Sequence, residues 1–414
     1  MSARSLVPLT LCAVIGVPTA VACADKLPHY TVTLSAPHRT YHQVPVRVVV
    51  PAPKQPTEFG VVTVTEAKTG RQIACQDVQL SLEQTEVTWL LDQLAQGETR
   101  AYRVAFTTET RPYGEGFVHA EQATDAVEIT IDGALFTRYV YRDGPKPYCY
   151  PIIGPTGAPV TRAYPMENVP GESHDHPHHR SLWFTFGEVN GIDFWGEGPG
   201  TGREVHRQFE AVEGGPIFGL VRAVSDWIGP DGKKVCEDVR QLRVYRVPDA
   251  RLFDFEITIR ATEGPVEFGD TKEGMFGVRV AASMQLAGGQ GHILNAAGQR
   301  DGDTWGKAAE WCDYFGPVKG EIVGIGIFDH PRNLRHPTYW HVRDYGLFAA
   351  NPFGLKHFTG DKTGAGRYTI PQGDELTFRY RVLIHRATPD GAQVAEAYAQ
   401  YADPPAVSSR RNAG

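Results

Sequence analysis

Cysteine is scarce in this 414-residue chain, and its arrangement excludes several chemistries. Six cysteines occur, and beyond the first 23 residues only Cys75, Cys149, Cys236 and Cys312 remain. No Cys-x-x-Cys pair exists, so a thiol redox centre or a zinc ribbon lacks its ligands. The four could form disulfides in three pairings, and none are close in sequence. Charge is thin as well: 21% of residues are charged and the net charge is −7, which leaves no basic footprint for nucleic acid. After residue 22 no stretch is apolar enough to cross a bilayer. Helical periodicity is missing until about residue 388.

The N-terminus has the layout of a secretory signal. Arg4 precedes the apolar run LVPLTLCAVIGVPTAVA, and small residues follow. Ala22-Cys23-Ala24 suits cleavage before Asp25. Ala20-Val21-Ala22-Cys23 also resembles a lipoprotein box, which would leave a lipid anchor on Cys23. Pro8 and Pro18 and the short length argue against an uncleaved span. Residues 1–24 therefore read as a signal peptide, and the mature chain is expected to be periplasmic, extracellular or lipid-anchored at the cell surface.

What the chain does have is strand pattern, with 44 glycines and 30 prolines to turn it. HYTVTLSA, PVRVVVPA, FGVVTVTEA, EVTWLLDQL and RAYRVAFTT predict a small β-sandwich over residues 25–112, and ETRPYGEG at 109–116 marks its boundary. It carries no motif for chemistry and reads as an accessory module. From 113 to 405 the strands lengthen. Phe253, Phe255, Ile257 and Ile259 alternate with Asp254, Glu256, Thr258 and Arg260, and Leu376 to Ile384 repeat the pattern. VEITIDGALFTRYVY predicts a hairpin turning at Asp132-Gly133. TPDGAQVAEAYAQYAD predicts a short C-terminal helix with Asp390 as its start signal. Residues 406–414 read as a disordered tail. The fold class is all-β, a small sandwich followed by a large antiparallel one.

The strongest chemical signal is PMENVPGESHDHPHHRSLWFTFGEVNGIDFWGEGP. Four of the fifteen histidines, His174, His176, His178 and His179, fall within six positions, with Asp175 and Arg180 among them. Pro170, Gly171 and Pro177 predict a loop feeding the strand SLWFTFG, which carries Trp183. Histidine gives and takes protons near neutral pH, and arginine fixes a hydroxyl or carboxylate or stabilises developing negative charge. Imidazoles with Asp175 could alternatively hold a divalent metal, although the spacing matches no standard motif such as HExxH. They could also merely close the loop through hydrogen bonds.

Four blocks in order, KPYCYPIIGPTGAPVTRAYP, DHPHHRSLWFTFGEVNGIDFW, DTKEGMFGVRVA and YWHVRDYGLFAANPFG, resemble the PmoA-related family over residues 126 to about 400. The resemblance implies a large β-sandwich similar to galactose mutarotase and other aldose epimerases, and relatives that accompany sugar-processing proteins. The family's namesake is a membrane-embedded methane monooxygenase subunit. This chain has no spans, so methane oxidation does not carry over. In aldose epimerases a His–Glu pair moves protons about the ring oxygen and anomeric hydroxyl, and the analogous pair here is a histidine of 176–179 with Glu273.

The same blocks supply further candidates. Glu273 could be a general base, with Lys272 polarising a substrate oxygen and Arg279 beside them. Trp311 and Tyr314, flanking Asp313, suit the apolar face of a sugar ring. His336, Tyr339, Trp340, His341, Arg343, Tyr345 and Asn351 could complete the cleft, with Tyr150, Thr161 and Arg162 from upstream. The candidate catalytic residues are His176, His178, His179, Arg180, Glu273 and His341. The candidate substrate-binding residues are Arg162, Trp183, Lys272, Arg279, Trp311, Tyr314, His336, Tyr345 and Asn351. No cofactor is required, though a His-bound divalent metal fits the loop. The expected function is an exported carbohydrate-active enzyme, a lyase, hydrolase or epimerase working on a sugar or glycoside, including oxidised sugars. A non-catalytic glycan-binding protein and a His-ligated metalloenzyme are the alternatives.

Overall fold

Strands with one apolar face must bury it, and this chain does so in two sandwiches. A computed structural model describes residues 27–53, 61–107, 116–387 and 390–412. The expected signal peptide, both cleavage sites and Cys23 lie outside the described residues, as does most of the 109–116 boundary.

The small sandwich faces a sheet of His29–Ser35, Thr99–Thr107, Val61–Glu66 and Gln72–Ile73 against one of Tyr41–Pro51, Gln84–Leu94 and Cys75–Ser81. Val32, Val46, Val62, Trp89 and Val104 fill the space between. The first sheet takes its fifth strand from the far end of the chain: Ala406–Arg411 runs antiparallel to His29–Ser35, with Leu34 opposite Val407. Over its described residues this corrects the expected disordered tail of 406–414, since 406–411 is a strand, and the small sandwich is not contiguous in sequence. AVSSRR shows no alternation because both faces of this edge strand are exposed, so only its partner reveals it.

The large sandwich packs two eight-stranded sheets. One runs in the order Tyr339–Val342, Leu347–Asn351, Gly274–Arg279, Leu182–Phe186, Tyr148–Cys149, Ala134–Val140, Ala126–Ile131, Val118–Gln122. The other contains the long strands Phe218–Ile228, Lys234–Tyr245, Arg251–Arg260 and Glu375–Arg386. Phe184 and Phe276 of the first sheet meet Phe255 of the second at ring separations of 6.2 and 4.8 Å, and Tyr380 stacks on Phe276 at 4.8 Å. The alternation at 253–260 therefore faces the core as expected. Asp132 and Gly133 turn the predicted hairpin with φ of 52° and 79°, and Ile131 pairs with Ala134. The C-terminal helix spans Ala392–Ala402, and Asp390 accepts the Ala392 N–H at 3.2 Å. Cys75, Cys149, Cys236 and Cys312 are buried, and no disulfide joins them.

The sandwiches are joined by buried polar contacts. Glu86 of the small one takes Arg243 of the large one and its own Arg47, and Gln76 Oε1 accepts the Ile217 and Phe218 N–H groups. No helix among the described residues is long and apolar enough to cross a membrane, which says nothing of strands.

Candidate functional site

Cross-strand register lines up the outer face of the first large sheet. His341 lies opposite Ala349, Ala349 opposite Gly277, Gly277 opposite Trp183 and Trp183 opposite Tyr148. Gly277 leaves room for the Trp183 indole, which comes within 2.9 Å of where a Cβ would stand. One step toward the sheet end lies Arg279, paired with Leu347, whose carbonyl accepts the Arg343 N–H. Tyr345 sits in the tight turn between Arg343 and Leu347, closed by Gly346 at φ 94°. The histidine loop crosses this end of the sheet.

Asp175 is the hub of that loop. Its carboxylate takes Arg162 and the Arg279 guanidinium, the latter at 2.8 and 3.1 Å, and both arginines are fully buried. The Ser173 hydroxyl donates to it at 2.6 Å, and His176 Nδ1 lies 2.7 Å from its other oxygen. Burial opposes ionisation, but the hydrogen bonds from Ser173 and His176 and the Arg279 charge outweigh it, so the carboxyl is held well below the usual carboxylate range. An ionised carboxylate only accepts, so His176 Nδ1 carries the proton and its Nε2 offers a lone pair outward. Arg162 also binds the Ser173 and His176 carbonyls and fixes the loop, in which His176 adopts a left-handed φ of 44°.

The rings form a column. Tyr345 stacks on His176 at 5.1 Å, His176 on His179 at 4.7 Å and His179 on Trp183 at 5.3 Å, with planes within 18°. Exposure falls along it: His176 is exposed, His179 and Trp183 are buried. Arg279, which can only donate, points at His179 Nδ1 from 3.1 Å, so that nitrogen accepts and the proton sits on Nε2. Burial and the neighbouring His178 and Arg279 push His179 well below its ordinary value. Burial and Lys146 push His178 down to about 4. Parallel rings direct their in-plane lone pairs side by side, and no group of three His, Cys, Asp or Glu side chains able to hold a metal occurs among the described residues.

Lys272 and Glu273 form an ion pair, both partly exposed, and the Glu273 charge reaches the Tyr345 hydroxyl. The Lys272 charge reaches His341, which burial, Lys272 and Arg343 push down to about 3. His176, His179, Arg162, Arg279 and Tyr345 thus gather at one sheet end, with Trp183 and His341 buried in the face beneath, while Lys272 and Glu273 precede Gly274 at the other end of the Gly274–Arg279 strand and reach this face through their charges.

Other expected members lie elsewhere. Arg180 forks onto Glu197 at 2.9 and 3.0 Å beside buried Lys146, so its charge is paired away from the histidine column. Trp311 packs with Leu294 and Val394 in a separate core cluster. Tyr314 is buried, its hydroxyl accepting the Leu286 N–H and donating to the Arg343 or Asp344 carbonyl, while Asp313 pairs with His385. His336 is held by buried Asp329 at 2.7 Å. Asn351 bridges the Thr271 carbonyl and the Phe353 N–H, so it positions the Lys272–Glu273 turn from behind. Trp340 is core, and Thr161 bonds Ser181. In each case the residue type suited the chemistry, and nothing local showed which face or partner the fold would give it. The role of Asp175 as hub was the missed signal; a carboxylate flanked by histidines, with lone arginines in apolar strands to neutralise, is its sequence trace. A surface recess at Phe117, His119 and Asp132 lies at the opposite edge of the sheet, and Arg246 there is already paired with Asp132 at 2.7 Å.

Buried neutral imidazoles make stability depend on pH. His341, His178, His206 and His330 all have folded values of about 3 to 4, below the ordinary 6.5. The unfolded chain then binds more protons once pH falls below about 6.5, so stability is complete above that and declines on acidification toward the folded values. For His341 the slope is about 1.4 kcal/mol per pH unit. Melting temperature should fall from pH 7 to pH 5, and His341→Gln should flatten the slope; a flat profile in the wild type contradicts the assignment.

Comparison places the chain among relatives of undetermined role. The model of a family of unknown function, DUF6807, matches residues 126–399. Comparison with curated proteins gives no match. Two solved structures from Enterococcus faecalis are similar in fold: a protein in the glycosyl hydrolase family 38 at 11% identity and an alpha-mannosidase at 10%. Each has a TM-score of 0.43, and they align with 93% of this chain but 47% and 46% of their own. The chain spans about half the length of these structures.

Proposed function

The chain belongs to the family of unknown function DUF6807, so its role is read from its own side chains, and from them we propose a carbohydrate-active enzyme working by acid-base chemistry on a sugar or glycoside. One observation carries this reading: an exposed imidazole, His176, whose Nδ1 is bound by a carboxylate that two buried arginines keep ionised. A solvated loop histidine needs no such support. Here the carboxylate fixes the tautomer and stabilises the imidazolium that forms when Nε2 accepts a proton.

The second proton carrier is Glu273, whose charge reaches the Tyr345 hydroxyl and which Lys272 steadies. The ionised Glu273 carboxylate would take a proton from a sugar hydroxyl or activated C–H, the His176 imidazolium would give one to the departing or ring oxygen, and solvent would restore both. Lyase, hydrolase and epimerase chemistry all need this pair of transfers. The stacked Tyr345 and His176 rings offer an apolar face to a sugar's C–H face, while Lys272, Arg343 and Glu273 address its hydroxyls. The resemblance of the surrounding blocks to a family of sugar-processing context supports the substrate class. We place the protein outside the cytoplasm, on the signal-like residues 1–24.

Purified protein incubated with a panel of glycosides and free sugars, followed by NMR, should show new bonds cleaved or inverted centres. Glu273→Gln should slow that turnover by about 10²-fold or more with an unchanged fold. Full activity in this variant removes the reading.

A further inference from the structure

Cations around this face of the sheet have carboxylates, with one exception. Arg162 and Arg279 share Asp175, Lys272 has Glu273, and Arg180 and Lys146 share Glu197. Among the described residues Arg343 makes no ion pair, not even with adjacent Asp344, and its guanidinium makes no hydrogen bond. It is partly exposed and held between rings, 5.8 Å from the Trp305 centroid and 5.6 Å from that of Tyr345. A surface arginine normally keeps its rotamer freedom, and here stacking has already removed it, which lowers the cost of binding through it.

A second observation concerns the groups around it. The Trp305 indole N–H and the Arg279 Nε–H are buried without acceptors. So is the amide nitrogen of Gln285, which packs against Gly346 of the same turn. These are all donors. A region with surplus donors and an unpaired cation is built for a ligand that brings acceptors and negative charge.

We infer that the substrate is an acidic saccharide whose carboxylate is read by Arg343. This rests on the loop centre being a substrate site, and it adds the substrate class. The planar guanidinium matches a carboxylate fork in two parallel hydrogen bonds. The carboxylate at Arg343 would leave the sugar ring over Tyr345, beside His176. Arg343 then selects the substrate without transferring a proton.

Calorimetric titration with galacturonic acid trimer, galactotriose and a sulfated galactose oligomer tests this. The uronate should bind at least ten-fold more tightly than the neutral trimer, and the gap should narrow as salt rises. Arg343→Gln should erase the preference with an unchanged circular dichroism spectrum, and Arg343→Lys should restore part of it. His176→Gln should lose turnover while still preferring the uronate over the neutral trimer. Equal binding of acidic and neutral trimers, a preference for the sulfate ester, no binding of any, or a preference that survives Arg343→Gln each overturns the assignment. Acid preference with full turnover in His176→Gln would instead leave this inference standing and remove the catalytic reading.

Discussion

Asp175→Asn is expected to lower unfolding stability by about 3–5 kcal/mol, the range for breaking a buried charge pair by removing one partner. The reason is the imbalance left behind. Arg162 and Arg279 are fully buried and cannot shed their protons, so without Asp175 two guanidinium groups face each other in a poorly solvated place. Asn keeps the shape and one acceptor but none of the charge. Urea denaturation of wild type and variant at neutral pH measures the difference. A second variant, Ser173→Ala, removes a hydrogen bond to the same carboxylate and should cost only about 1 kcal/mol. A loss below about 1 kcal/mol in Asp175→Asn itself would mean that the arginines find compensation elsewhere and that Asp175 is no hub.

The other large effect falls on turnover. His176→Ala should reduce it by about 10²–10⁴-fold, the contribution of a positioned acid or base. Stability should hardly change, since the ring is exposed and its loss leaves no buried group unpaired. The two variants thus separate the functions of adjacent residues, one holding the fold and the other carrying the proton. His174→Ala is the internal comparison. That ring stacks on Tyr164 at 4.4 Å, has no carboxylate partner among the described residues and should leave turnover intact. Unchanged activity in His176→Ala would return the loop to a structural role.

How much of this was legible in the sequence depended on the range of the interaction. The Asp132-Gly133 turn, the alternation at 253–260 and the helix opened by Asp390 rest on neighbours within a few residues, and all three stand where the pattern put them. The sandwich class followed from strand density. The histidine loop was visible because four imidazoles in six positions need explaining. Which of them faces outward was not visible, because that depends on the left-handed turn at His176 and on arginines 13 residues before and 104 residues after Asp175. Trp311, Tyr314 and His336 have the right chemistry for a sugar site. They sit on strands or loops whose facing is decided by which sheet pairs with which, and no local pattern encodes that. Arg180 drew attention by standing next to histidines, yet its backbone follows a left-handed turn into Ser181, and its charge is spent on Glu197, 17 residues on.

The strand at 406–411 has a consequence for biosynthesis. Synthesis runs from the N-terminus, so His29–Ser35 emerges well before the strand that completes its sheet. In the interval His29–Ser35 keeps an open ladder edge that could zip onto another copy of the chain. Shortening the chain by its last nine residues should therefore do more than trim a loose end: it should expose a template for self-association.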